Sequence, residues 1–358
     1  MQRATKVVLS VAVVVALAAG TYALYVVSPP PPMCAGVVTP TGPNVSNRPA
    51  VGVDALSGSA GKTAPVASTP AMQVATPSVS GPVINVVAAE NFWGSLVAQI
   101  GGTHVNVTSI ITDPNTDPHE YEANDSTAEA FKDAQYVILN NVGYDDWATL
   151  LVGGDGAVNQ TVLNVGDMLG VNVTGGIVSG NPHLWYNPTY VNQTVAWIYH
   201  NLTAIAPSLG GYFTDQYDNL TAALGTLYSE VTAIRDRFGG TVVASTESIF
   251  VYLANATGLD LVSPPTFMEA VAEGNDPSDQ SIVTFECQLE SGHVRVLVYN
   301  QQTVTPITTM MEQLAESHNV TIVPVTETIQ PPTATFQAWM GGQLDYLWNA
   351  LDANELGQ

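Results

Sequence analysis

Basic residues are scarce in this chain. Eight Lys and Arg stand against 31 Asp and Glu, giving a formal net charge of −23. A surface of that sign repels nucleic acid phosphates and is not steered toward anionic lipid, which excludes both as partners. It raises the local concentration of cations, and it also suits the solubility of an extracellular surface. Cysteine is nearly absent. Cys34 and Cys287 are the two in the chain, and so few offer no disulfide framework. Cys287 lies in an apolar stretch and reads as a buried core residue rather than a reactive one. Histidine is limited to six positions, with no His-Glu-X-X-His pattern to support a metal-dependent hydrolase.

The N-terminal part is apolar and then low in complexity. Arg3 and Lys6 precede an uncharged run of 21 residues, Val7 to Val27, long enough to span a bilayer. The basic residues predict a cytoplasmic N-terminal end with the rest outside, so residues 1–27 are expected to be a membrane anchor or signal sequence. Its length favours an uncleaved anchor. Cys34 follows Met33, a poor neighbour for a lipidated cysteine. Residues 28–82 are rich in Pro, Ser, Thr, Gly, Ala and Val, contain no aromatics, and read as a disordered tether opening on the stiff Pro29–Pro32 run. Asn-X-Ser/Thr sequons occur at Asn44, Asn106, Asn124, Asn159, Asn172, Asn192, Asn201, Asn219, Asn255 and Asn319. So many behind an export segment point to a glycosylated outer-surface protein.

Beyond residue 82 the pattern is α/β. Ile84 to Ala89, Val105 to Ile111, Tyr136 to Leu139 and Val162 to Val165 read as buried strands. Helical spacing runs from Phe92 to Ile100, and from Ser126, as a cap, to Asp133. Pro188 to Ala204 is also helical. Tyr212 to Phe238 carries Leu220, Leu224, Leu227, Val231 and Ile234 at three- and four-residue spacing, predicting a helix about 40 Å long. The second half repeats the first in kind. Strands are expected at Thr241 to Ser245, Val294 to Tyr299 and Val320 to Val325. Helices are expected at Phe250 to Ala256, Ser281 to Leu289, Thr305 to Ser317 and Phe336 to Leu351. The expected architecture is α/β, with two lobes, each a parallel β-sheet wrapped by helices, joined by one long backbone helix. Its boundaries are an N-terminal lobe at 83–206, the connecting helix at 207–239 and a C-terminal lobe at 240–358.

Two of the few histidines directly follow a proline, in Asp117-Pro118-His119-Glu120-Tyr121-Glu122 and Asn181-Pro182-His183-Leu184-Trp185. Two carboxylates occupy comparable places: Glu247 in Ala-Ser-Thr-Glu-Ser and Glu327 in Pro-Val-Thr-Glu-Thr, each two residues past an apolar strand. Ligands of open α/β sheets bind beyond the carboxyl ends of strands, so the four side chains could converge there. Two imidazoles and two carboxylates suit a divalent transition metal. Taken singly, each histidine is an ordinary loop residue. Glu247 also suits a helix N-terminus, and Glu327 a solvated loop. His104, His200, His293 and His318 read as surface or packing residues, and Trp185, Trp339 and Trp348 as packing. The order and spacing of the four together carry the inference.

These segments resemble the substrate-binding proteins of ABC importers for zinc and manganese, over about Val83 to Leu351. Pro118-His119-Glu120-Tyr121-Glu122 and Pro182-His183-Leu184-Trp185 match the two histidine segments of that family. Glu247 before Phe250-Val251-Tyr252-Leu253 matches the third ligand, and Glu327 after the last strand the fourth. Glu273-Gly274-Asn275-Asp276-Pro277-Ser278 matches a further acidic segment. The resemblance implies metal ligands His119, His183, Glu247 and Glu327, and a monomeric binding protein rather than an enzyme. It implies Zn2+ or Mn2+ as transported ligand, with Fe2+ also compatible, and an ABC permease with its ATPase as partners. Zinc-selective members usually carry histidine where this chain has Glu247, and often a His-rich loop that is missing here. Two carboxylates harden the site toward manganese or ferrous iron, while zinc also accepts this ligand set. The implied action is capture outside the cytoplasm and delivery to the importer, with the long helix limiting closure. The competing reading is a surface adhesin or structural glycoprotein, which the tether and sequons fit; a metal-dependent hydrolase is a third.

Overall fold

The computed structural model describes residues 81–116, 121–154, 159–171, 173–174, 177–178 and 180–356. The run Val7–Val27, the tether, Cys34 and the segment holding His119 fall outside them. Among the described residues no helix is long and apolar enough to cross a membrane.

The first half contains strands β1 (Ile84–Glu90), β2 (Val105–Ile111), β3 (Tyr136–Leu139) and β4 (Thr161–Asn164), with a small hairpin of β5 (Val173–Thr174) and β6 (Ile177–Val178). Its helices are α1 (Asn91–Gly101), α2 (Asp125–Asp133), α3 (Asp146–Thr149), α4 (Val165–Leu169) and α5 (Pro188–Ile205). Helix α6 (Gly210–Phe238) follows. The second half holds β7 (Val242–Ser245), β8 (Asp260–Leu261), β9 (Val296–Asn300) and β10 (Thr321–Val325). These strands alternate with α7 (Val251–Thr257), α8 (Pro265–Ala272), α9 (Asp279–Glu290), α10 (Pro306–Ser317) and α11 (Phe336–Leu356).

Two four-stranded sheets result, with orders β2-β1-β3-β4 and β10-β9-β7-β8. All their pairings are parallel. Read from the first strand of each half, the two orders are the same, so the lobes share one topology. Both faces of each sheet are covered, as parallel sheets require. On β1, Val86 and Ala88 face the main core, while Val87 and Ala89 face a smaller cluster around Phe131. On β9, Val296 and Val298 join the main core, and Leu297 packs with Phe267 and Phe285 on the other side.

Helix α6 unites the lobes. Leu220, Leu224, Leu227, Val231, Ile234 and Phe238 are all buried along one stripe and belong to the main core, which contains residues of both halves. Burying each such side chain contributes roughly 1.5–3 kcal/mol, so a charge at Leu224 would break the joint. Side chains bond across the lobes as well. Asn91 exchanges two hydrogen bonds with the backbone of Ile329, at 3.2 and 2.9 Å. The Tyr186 hydroxyl donates to Thr326 O at 2.8 Å, and Gln302 Nε2 to Pro114 O at 3.0 Å.

Some local details differ from expectation. Helix α2 is capped by Asn124, whose side chain accepts the Thr127 N–H, rather than by Ser126. Val165 opens α4 instead of closing β4. Helix α8 was not among the expected elements; Pro265 opens it, where proline at the first helical position needs no N–H partner. Cys287 is half-buried rather than a core residue.

Candidate metal centre

His183, Glu247 and Glu327 meet between the lobes. Each offers one ligand atom, these atoms lie within 4.8 Å of one another, and all three residues are buried. The first lobe supplies the imidazole and the second both carboxylates.

His183 is held by the residue two before it. Asn181 Oδ1 accepts the His183 backbone N–H at 2.9 Å and bonds Nδ1 at 2.8 Å, while Asn181 Nδ2 donates to Ser248 O. The amide orientation is therefore settled, and it places the imidazole proton on Nδ1. Nε2, carrying the lone pair, is turned toward Glu247 Oε2 at 3.7 Å. Tyr252 donates to Asn181 O at 3.0 Å, which ties this segment to α7 of the other lobe.

Glu247 follows β7 and caps the turn Ser248–Phe250, its Oε2 accepting the Ile249 N–H at 3.0 Å. The capping role and a place in the cluster thus coexist. Glu327 follows β10. Its Oε2 accepts the Tyr144 hydroxyl at 2.7 Å, across the lobes, and its Oε1 accepts Asn300 at 2.7 Å and Thr303 at 3.0 Å. Gln302 Oε1 receives the backbone N–H groups of Glu327 and Thr328 at 2.7 and 2.8 Å. Through its contact with Pro114, Gln302 also ties this turn to the chain leading toward the 117–120 segment. Asn300, at the end of β9, bonds Glu247 Oε1 at 3.0 Å as well.

Electrostatics favour a cation here. Burial pushes the Glu247 carboxyl well above its usual range, and the neighbouring Glu327 carboxylate raises it further. The Ile249 N–H, the Asn300 amide and the Ser248 N–H oppose the rise. A divalent ion would offset both the desolvation and the repulsion between the carboxylates.

A second acidic pair lies in the first lobe, Glu90 closing β1 and Asp145 preceding α3. Glu90 and Asp145 are both fully buried. Burial and then Asp145 drive Glu90 well above its usual range, while burial takes Asp145 to about 6 against two backbone N–H donors. Those donors are Asn140 and Asn141, at 2.7 and 2.6 Å. The chain folds so tightly around Asp145 that Asn141 and Val142 adopt φ of 63° and 60°. Such backbone costs about 1–3 kcal/mol per residue. The same turn delivers Tyr144 to Glu327.

Of the residues singled out from sequence, the structure brings His183, Glu247 and Glu327 together, and His119 lies outside the described residues. Trp185 stacks on Phe92 at 3.9 Å, and Trp339 is buried beside Phe336. Tyr144, Asn300, Gln302, Thr303, Glu90 and Asp145 were not recognised. Asn300 carried one legible signal: it ends a central strand on the edge where Glu247 and Glu327 emerge.

Two parallel-sheet lobes sharing a long helix, with a buried imidazole and two carboxylates at their junction, define a two-lobed α/β fold of the binding-protein kind. The chain belongs to the family of the periplasmic zinc-uptake complex component A (ZnuA), whose model matches residues 86–350. That family comprises uptake-complex components rather than enzymes. The manganese-binding lipoprotein MntA of Halalkalibacterium halodurans is 26% identical over 190 residues, 52% of this chain and 61% of that protein. The chain thus spans about three fifths of that relative's length. The periplasmic zinc-binding protein TroA of Treponema pallidum superposes with a TM-score of 0.63 at 15% identity, covering 75% of this chain and 99% of the other. The laminin-binding protein Lmb of Streptococcus agalactiae, described as bifunctional in adhesion and metal transport, superposes at 0.64 with 17% identity, covering 75% and 99%. At these identities the two structures share the fold.

Proposed function

We propose that this protein captures a divalent transition metal ion, zinc or manganese, outside the cytoplasm and delivers it to an ABC-type importer. The observation carrying this reading is the buried cluster of His183, Glu247 and Glu327 at the lobe junction. Its ligands are His183, Glu247 and Glu327, joined by His119 from the Pro118-His119 segment. Family membership supports the transport role, and the names of the similar proteins supply zinc and manganese as the ions to test.

The ion lies between the lobes, so binding draws one imidazole and two carboxylates onto a single charge. The continuous core and the cross-lobe hydrogen bonds limit closure to a small motion, and the loaded state differs from the empty one mainly in charge and rigidity. A monomer presents this face to the permease, which its ATPase drives. The N-terminal 1–27 segment anchors the chain and residues 28–82 hold the lobes, 83–206 and 240–358 around the 207–239 helix, away from the membrane. Sequon asparagines Asn106, Asn124, Asn159, Asn192, Asn219, Asn255 and Asn319 are exposed, as glycosylation at an outer surface requires.

Adhesion is the second reading, because a structure of this fold combines adhesin and metal-transporting activity. Thermal melting after chelation, with zinc, manganese and ferrous iron restored one at a time, separates the two. A metal-dependent rise lost in His119→Ala and His183→Ala supports capture. No rise with any metal would leave adhesion as the better account.

A further inference from the structure

Two acceptors flank the imidazole of His183, one beside each ring nitrogen. Asn181 Oδ1 lies 2.8 Å from Nδ1, and Glu247 Oε2 lies 3.7 Å from Nε2. A neutral imidazole carries one proton, so only one acceptor can hold it, and the other nitrogen keeps the lone pair that a metal needs. Left to the carboxylate, the proton would sit on Nε2 and block the nitrogen that faces the acidic cluster. Asn181 is placed to prevent this. Its Oδ1 also accepts the His183 backbone N–H at 2.9 Å, and its Nδ2 donates to Ser248 O at 2.6 Å. A reversed amide would set donor against donor at His183 N and acceptor against acceptor at Ser248 O, so Oδ1 must face Nδ1. Ser248 Oγ, 3.3 Å from Nδ1, can donate or accept and suits either form of the ring, so the amide decides. The Asn181 carbonyl is held in turn by the Tyr252 hydroxyl at 3.0 Å. Ser248 and Tyr252 belong to the second lobe, so the lobe junction itself helps to fix the amide.

We infer that Asn181 is a positioning residue for metal capture: it holds the imidazole proton of His183 on Nδ1 and thereby offers Nε2 to the ion. The inference rests on the metal-site reading above. The 2.8 Å separation from Asn181 is a hydrogen bond, whereas 3.7 Å to Glu247 is too long for one, so the proton stays on the side away from the carboxylates. A ring kept in this form needs no proton shift before it binds. Partners on the far nitrogen of ligating histidines fix tautomer and ring orientation in the same way, and altering them weakens metal binding. Sequence alone shows only that Asn181 precedes His183 by two residues; the second lobe supplies the contacts that orient it.

The test begins on the metal-free full chain, isotopically labelled at its histidine ring nitrogens. Nitrogen NMR at about pH 8, above the ordinary imidazole range, reads which ring nitrogen carries the proton, and His183→Ala identifies the signal. The unsubstituted chain should show His183 protonated on Nδ1. Asn181→Ala should move the proton to Nε2 and lower zinc affinity, measured by chelator competition, by about 10- to 100-fold. Asn181→Asp supplies an oxygen for the same proton, and should keep it on Nδ1 with affinity within a few-fold of the unsubstituted chain. A proton on Nε2, or on both nitrogens, in the unsubstituted chain overturns the inference even if no variant folds. An Asn181→Ala chain that loses affinity with its proton still on Nδ1 overturns it too, since Asn181 would then be a structural support alone. So does one whose proton moves with no loss of affinity. A chain with the proton on Nδ1 that binds neither zinc nor manganese overturns the metal-site reading, and the role of Asn181 with it.

Discussion

The two lobes share one strand order, and each buries an acidic pair at or past its strand ends, yet the pairs differ in what surrounds them. Around Glu247 and Glu327, donors are plentiful: Asn300, Thr303, Tyr144 and the Ile249 N–H all point at carboxylate oxygens. Around Glu90 and Asp145, the Asn140 and Asn141 backbone donors both serve Asp145, and the neighbour of Glu90 is another carboxyl. The first arrangement holds the carboxylate oxygens with side-chain and backbone donors and turns Glu247 Oε2 toward His183. The second raises the Glu90 carboxyl well above its usual range, through burial and then the neighbouring Asp145. The same backbone topology thus buries an acidic pair rich in donors beside His183 in one lobe and a pair poor in donors in the other.

Breaking the ligand pair should have the largest effect. Glu247→Gln or Glu327→Gln should lower metal affinity by more than about 100-fold, beyond the usual loss on altering a residue that only orients ligands. Glu90→Gln should leave affinity within a few-fold; calorimetric titration of the three variants side by side is the check. Equal losses in all three would erase the distinction between the pairs.

Acid should sharpen the contrast next. Glu247 is raised by burial and by Glu327, so a proton competes with the metal for it, and the imidazole must be neutral to ligate. Affinity should fall as pH drops from 8 to 5, by up to about tenfold per pH unit for each proton displaced. The same fall should occur in Glu90→Gln. An affinity constant over this range would argue against imidazole and Glu247 as ligands.

Metal-free stability should respond to the other pair. Glu90 and Asp145 both have folded values raised above their unfolded ones. Their contribution is therefore fully present below about pH 4 and is lost as pH rises, through about 6 for Asp145 and above the ordinary carboxyl range for Glu90. Glu90→Gln removes the Glu90 part of that loss. It should raise metal-free stability at pH 8 by about 1–3 kcal/mol and flatten the decline of melting temperature between pH 5 and 8. A destabilised variant at pH 8 would mean that Glu90 is ionised in the folded protein.

The smallest effect should come from Tyr144→Phe, which deletes the hydroxyl bond between the lobes and leaves the ring packed. A loss of about 1 kcal/mol in metal-free stability is expected in denaturant titration, from one buried hydrogen bond to a carboxyl group. No change would mean that water replaces the hydroxyl.

Much of the fold was legible because it follows from local pattern. The β-branched runs at Val105 to Ile111 and Tyr136 to Leu139 coincide with β2 and β3, and the apolar stripe from Leu220 to Ile234 is the buried face of α6. Local competition was harder to read. Asn124 displaced Ser126 as the cap of α2, and Pro265 opens α8, a helix that no expected element covered.

For the candidate site, sequence determined the residue types and their place past strand ends, because motifs such as Asn181-Pro182-His183 and the position of Glu247 after β7 are local facts. Tertiary structure decided the rest. The strand orders bring the ends of β7, β9 and β10 beside one another, setting Asn300 between two carboxylates that precede and follow it by 53 and 27 residues. It also closes the lobes so that Tyr144 reaches Glu327 across 183 residues. Hydrogen-bond donors act over about 3 Å whatever their separation in the chain, so the partners that tune this chemistry can be identified only once the fold has brought them together.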